Sequence, residues 1–368
     1  MIPVFKPKLT RADIESVKKS LLRNEISGSY GESIIKFETN FSKYIGTKYS
    51  VTTSSGTTAL HLAIDILKLP KKSEIIVSSC TNIATALSII HNNHIPIPVD
   101  SDINTWNIDV EKIEKLITKK TKAIIIVHFL GKPVHIEKIL YLKRKYKLKI
   151  IEDAAEAHGA IYKKRRIGTI GDLSCFSFYA NKIITSGEGG MICTNNEVYY
   201  KRIKLFKNLG FTTPRFKHFI NGYNFRMTAI QAALGNSQLL NIEKIIKTKI
   251  KIAMRYINNL KNVDKLKLPQ LTNLERNVFW QFGVVINTKS QNDKIELTKY
   301  LKKNNIDTRS FFYSLRNQPS LKKFIPKRVP PTPNSEILWK QGLYLPSSHD
   351  IKNTEIDFIC KKIKDFFK

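Results

Sequence analysis

The sequence predicts an α/β protein: one large, mostly parallel sheet covered by helices, followed by a smaller domain. Two observations carry this. Short apolar runs alternate with segments of helical period through the first two thirds of the chain, which is the signature of strand-helix-strand units. At 368 residues, the chain is also too long for one small domain, so a large and a smaller domain are expected.

Seven runs read as strands: Tyr49 to Thr53, Glu74 to Ser78, Ile95 to Val99, Ala123 to Val127, Lys149 to Glu152, Leu173 to Phe178 and Gly190 to Thr194. Between the first two, Thr57 to Leu69 places Leu60, Ala63, Ile64 and Leu67 on one helical face. A second helix is predicted from Pro133 to Tyr146, and a long periodic stretch from Thr228 to Leu260 is expected to cross into the smaller domain. Beyond it, Phe279 to Ile286 reads as a strand, and Ile295 to Asn304 and Glu355 to Phe367 read as helices. The proline-rich Pro326 to Pro333 reads as a loop, because proline lacks the donor that ladders and helix interiors need. The division is placed at 1–245 and 246–368.

Apolar residues make up 42% of the chain and aromatics 10%, as in soluble globular proteins. The formal charge is +32, from 62 Lys and Arg against 30 Asp and Glu, which raises the question of an anionic partner. The basic residues are scattered, however, with no basic arm and no groove-reading motif, so a solvated lysine-rich surface is expected and nucleic acid is not. A non-catalytic basic binding protein is the competing reading; it predicts binding with a steep salt dependence. Cysteines 80, 175, 193 and 360 form no metal-ligand or redox pair, which fits a reducing cytoplasm and no metal site. Met1 to Thr10 lacks the apolar core of a secretory signal, and no apolar run is long enough to span a membrane.

Three segments carry chemistry. Ser54-Ser55-Gly56-Thr57-Thr58 follows the first strand and opens a helix, where free amides and the positive helix end suit a phosphate monoester; taken alone it reads more simply as an ordinary helix cap. Asp153 ends a strand at the ligand-binding edge of an open parallel sheet, where a carboxylate could hold a protonated pyridine nitrogen or simply cap a helix. His158, close by, reads more simply as a satisfied buried histidine. Lys182 lies between an apolar strand and the turn Thr185-Ser186-Gly187-Glu188-Gly189-Gly190, where poor access to water would favour a nucleophilic amine. Ser177, five residues earlier, could offer its hydroxyl to the same phosphate.

Taken in order, these segments resemble the DegT-type sugar aminotransferases, through SSGTTALHLA, VDSDINTWNID, IEDAAEAHGA, GDLSCFSFYANK, TSGEGGMICT and GYNFRMTAIQAALG. The resemblance implies fold type I of the pyridoxal phosphate enzymes: a large domain with a mixed, mostly parallel seven-stranded sheet and a smaller α+β C-terminal domain. It implies pyridoxal 5'-phosphate as cofactor, with Lys182 as the Schiff-base and acid-base group and Asp153 on the pyridine nitrogen. Glu156, where glutamine is common, would lie beside the ring or its hydroxyl, and Gly56, Thr57 and Ser177 would hold the phosphate. Asn224 would reach the phosphate in the neighbouring subunit of a homodimer. Asn82 stands where the family commonly has an aromatic residue stacked on the cofactor. His128, Arg309 and Tyr313 are the implied substrate contacts, on segments most like those of enzymes that move an amino group from L-glutamate to C4 of a nucleotide-linked 4-keto-6-deoxyhexose of perosamine or viosamine type. Sugar dehydratases on the same scaffold carry a histidine where this chain has Lys182, so the lysine argues for amino transfer in a ping-pong cycle.

Overall fold

The computed structural model describes residues 1–288, 290 and 292–368. Seven strands form the main sheet: β1 (Tyr49–Thr53), β2 (Glu74–Ser78), β3 (Ile95–Val99), β4 (Thr121–Val127), β5 (Lys149–Asp153), β6 (Leu173–Ser177) and β7 (Gly190–Thr194). Their spatial order is β1-β7-β6-β5-β4-β2-β3. Every pairing is parallel except those of β7, which runs against both β1 and β6. The middle of the sheet is buried on both faces, which is why β2 and β4 read as unbroken Ile and Val runs rather than as alternation. The register aligns the strand ends: Asp153 lies opposite Val127 on one side and Cys175 on the other. The C-terminal ends of β4, β5 and β6 therefore meet at one edge.

Helix Gly56–Ile66 follows β1 and is closed by a capping box between Ser55 and Thr58, which satisfies part of its unbonded first turn. The stretch expected as one helix from Thr228 to Leu260 is two, Ala229–Leu240 and Ile242–Leu260, joined at Asn241 with φ −107° and ψ 5°. Asparagine there ends the first helix and begins the second without interrupting the apolar face. The strand predicted from Phe279 starts only at Phe282, because Phe279 adopts φ +48°. The proline-rich loop ends one residue early: Pro333 opens helix Pro333–Gln341, in the first turn, where its missing N–H costs nothing.

A second, antiparallel sheet holds β8 (Leu266–Lys267), β9 (Phe282–Ile286), β10 (Arg309–Ser310) and β11 (Gly342–Leu345), in the order β8-β9-β11-β10. Around it Tyr256, Leu260, Phe282, Val284, Leu297, Leu301, Ile356 and Ile359 form a separate core. The division expected at 245/246 falls inside helix Ile242–Leu260, whose Ile246 joins the first core and whose Tyr256 joins the second. The chain then returns: Val278, Trp280, Phe311, Leu315, Leu321, Val329 and Leu338 all belong to the first core. A triangle of hydroxyls fastens this return, Ser79 to Ser314 at 2.9 Å, Ser79 to Thr332 at 3.1 Å and Ser314 to Thr332 at 3.0 Å. Among the described residues no helix is long and apolar enough to cross a membrane.

Candidate active site

At the edge where β4, β5 and β6 end, a cavity of about 260 Å³ opens, walled by Gly56, Thr57, Asn82, Thr85, Asp153, Glu156, Ser177, Lys182, Trp280 and Phe312, among others. One end is an anion cradle. The first amides of helix Gly56–Ile66 have no intrahelical acceptor, and Ser177 faces them from the end of β6. The two elements approach so closely that a β-carbon on Gly56 would stand 2.7 Å from the Ser177 β-carbon, so only glycine fits. Gly190, starting β7 on the same side, is equally constrained, since its β-carbon would fall 2.2 Å from the Ser55 carbonyl oxygen.

At the other end lies Asp153. Its Oδ2 accepts from the Thr85 hydroxyl at 2.9 Å and its Oδ1 from the Ala155 N–H at 3.2 Å. Burial lifts its carboxyl above the ordinary aspartate range, and these hydrogen bonds offset that only in part. A buried acid so placed gains from a cationic N–H beside it. Lys182 occupies the middle, with its Nζ 4.0 Å from Glu156 Oε1 and 4.0 Å from the centre of the Trp280 ring. Burial lowers its amine pKa, against the opposing charges of Glu156 and Asp153. Glu156 in turn is pushed up to about 7 by burial, which Lys182 and a 2.8 Å hydrogen bond from the Leu130 N–H counter incompletely. An amide cradle, a buried carboxylate and a water-poor amine in one cavity suit a phosphorylated aromatic aldehyde with a basic ring nitrogen.

The structure thus brings together Gly56, Thr57, Asn82, Asp153, Glu156, Ser177 and Lys182. Asn82 keeps its place on the wall while its side chain caps helix Ile83–His91, accepting from the Ala84 N–H at 2.9 Å. Aromatic surface comes from elsewhere: Trp280, its indole N–H anchored on the Asn181 carbonyl at 2.7 Å, and Phe312. Thr85 and Trp280 carry no signal of their own in the sequence. Thr85 becomes meaningful only once the helix after β2 is seen to lie over β5, and Trp280 only once the C-terminal third is seen to return to the large core.

Four expected residues lie apart from the cavity walls. Asn224 is exposed and forms an isolated bridge with Asn208. Arg309 is exposed on edge strand β10, and Tyr313 packs edge-on against Trp339 at 4.4 Å. His128 requires a correction as a substrate contact. Its ring is fully buried, accepting from the Val134 N–H at 3.2 Å and lying 3.4 Å from Glu152. It supports the sheet edge from behind. Glu152 is structural too, accepting from the N–H groups of Gly168, Ile170 and Gly171. His158 is likewise buried, between Phe176 and Phe178.

The fold and cavity define an α/β enzyme with a lysine amine at its centre. Residues 7–364 match the DegT/DnrJ/EryC1/StrS aminotransferase family, and the chain belongs to that family. It is 39% identical over 368 residues to a GDP-perosamine synthase from Escherichia coli O157:H7, covering all of this chain and 98% of the relative. A sugar aminotransferase from Streptococcus pneumoniae, solved in its PLP form, superposes with a TM-score of 0.93 at 25% identity, covering 99% of this chain and 98% of the other. A GDP-4-keto-6-deoxymannose-3-dehydratase variant with bound GDP-perosamine superposes with a TM-score of 0.92 at 27% identity, covering 99% and 100%.

Proposed function

We propose that this aminotransferase moves an amino group from L-glutamate to C4 of a nucleotide-linked 4-keto-6-deoxyhexose, of perosamine or viosamine type, for glycan biosynthesis in the cytoplasm. The observation that carries the reading is the Lys182 amine, held with Asp153 and the Gly56–Ser177 cradle in one cavity. The full-length likeness to a GDP-perosamine synthase supports the sugar class.

The cofactor is pyridoxal 5'-phosphate, which supplies an aldehyde for amines and a ring that draws electrons from the carbon bearing the amine. The chain's own groups have separable tasks. Gly56, Thr57 and Ser177 would hold the phosphate. Asp153, its carboxylate fixed by Thr85, would keep the ring nitrogen protonated. Lys182 would remove the proton from the glutamate α-carbon and later return one to sugar C4. Trp280 and Phe312, from the returning C-terminal third, exclude water from the cavity. One half-cycle releases 2-oxoglutarate and the other the amino sugar.

We place the enzyme in a homodimer in which Asn224 reaches the phosphate of the neighbouring chain. In support, Asn224 is exposed, and Phe216, Phe219 and Leu240 expose 74%, 64% and 74% of their surface, more apolar area than isolated surface residues need. Arg309 and Tyr313 are proposed as sugar-nucleotide contacts. The test is incubation with glutamate and GDP-, UDP- and dTDP-linked 4-keto-6-deoxy sugars, with products read by NMR. A 4-amino sugar supports the reading, and 3-deoxygenation without amination refutes it.

A further inference from the structure

Two carboxyl groups face the Lys182 amine, and they are not equivalent. Both oxygens of Asp153 are engaged, by Thr85 and Ala155. Glu156 uses Oε2 for the Leu130 N–H at 2.8 Å and turns Oε1, with no hydrogen-bond donor on it among the described residues, toward Lys182 Nζ at 4.0 Å. Both side chains are largely shielded, at 12% exposure for Lys182 and 6% for Glu156. The indole face of Trp280 closes the other side of the amine at 4.0 Å, so the lysine end lies between a π-surface and one free carboxylate oxygen. Of the remaining titratable neighbours, His158 is kept neutral by burial, its pKa near 3, and Cys80 and Tyr344 are held protonated by burial, with Glu156 adding to the effect. None of these competes for the proton.

We infer that Glu156 and Lys182 share one proton across this gap, Glu156 holding that proton beside the amine whenever the amine is neutral and so setting the fraction of amine open to attack. The step balances: the ammonium proton passes to the Glu156 carboxylate, leaving a neutral amine and a neutral acid. The amine then condenses with an aldehyde, and one water leaves. A gap of 4.0 Å is longer than a transferring hydrogen bond, but catalytic hydrogen bonds commonly tighten when substrate binds, and the flexible lysine end spans the difference. Two groups coupled this way titrate as a pair, in two steps that belong to neither alone. The inference rests on Lys182 being the amine that takes the cofactor aldehyde.

The test uses the cofactor-free full-length chain. Trace acetic anhydride labels amines in proportion to their neutral fraction, and mass spectrometry reads Lys182 alone from about pH 5 to about pH 11, a range that spans the ordinary carboxyl and amine titrations. The expected profile has two inflections, the lower near neutrality. Glu156→Gln keeps an acceptor for the Leu130 N–H, loses the lower inflection, and labels about tenfold faster at neutral pH, because the carboxylate that favoured the ammonium is gone. Glu156→Asp retains two inflections. A single inflection in the unaltered chain, or superimposable profiles for it and Glu156→Gln, overturns the inference. Borohydride fixation of the cofactor at Lys182 is measured separately; its failure refutes the amine's proposed role whatever the labelling shows.

Discussion

Lys182 and Gly56 separate chemistry from binding. Lys182→Ala removes the only group proposed to carry protons between donor and acceptor carbons, so glutamate-dependent amination falls by roughly 10²–10⁴-fold. Single-turnover kinetics with glutamate measure this, and borohydride no longer fixes the cofactor. Gly56→Ala leaves the lysine intact but drives a methyl into Ser177. The expected cost is about 1–3 kcal/mol, seen as weaker cofactor affinity in a spectroscopic titration, while the saturated rate changes little. Asp153, Ser177 and Lys182 are legible in the sequence because each follows an apolar run that ends at a turn. Asn82, Thr85 and Trp280 show the limit. A residue type says nothing about which wall it joins until the packing is known, and the cavity's aromatic surface, missing at Asn82, comes from a distant segment of the chain, at Trp280 and Phe312.

Among the elements, helix Ile242–Leu260 holds an anomaly outside the cavity. Lys249 is fully buried, donates to the Ser347 carbonyl, and has no carboxylate within salt-bridge distance among the described residues. Burial alone lowers its pKa to about 7. The unfolded chain, with an ordinary lysine near 10.4, binds more protons than the fold between about pH 7 and about pH 10, so stability rises with pH across that window. Lys249→Met should reduce the slope, to which the buried Lys294 and Lys182 also contribute, and stabilise the protein at neutral pH by about 2–4 kcal/mol, less the lost hydrogen bond; thermal melts at the two ends of the window test this. A melting temperature of the natural chain that falls between them contradicts it. The seven strands are readable nearly to the residue because buried parallel strands are continuous apolar runs. The break at Asn241 is not, since the apolar face continues through it. Helices Arg11–Leu22 and Glu32–Ile45 lie outside the elements expected from the sequence, although Ile34, Phe37, Phe41 and Ile45 give the second a plain one-sided face.

For the whole molecule, the proposed exchange of Asn224 between subunits can be tested by complementation. Lys182→Ala and Asn224→Ala are each expected to be inactive as homodimers, but unfolding and refolding them together should restore about a quarter of the natural activity, because random pairing leaves one complete site in each mixed dimer. No recovery would show that Asn224 serves its own chain. The alternation of strands and helices reveals the architecture, whereas the path of the last third does not follow from it, because no local signal tells a segment which of two cores it will join. That path has a consequence of its own. With Phe311, Leu315, Leu321 and Leu338 seated in the first core and fastened by the Ser79, Ser314 and Thr332 hydroxyls, severing the chain near residue 245 yields no self-sufficient half. The N-terminal fragment would be left with an apolar scar and an unroofed pocket, and the C-terminal one would carry a belt of hydrophobic residues with nowhere to go.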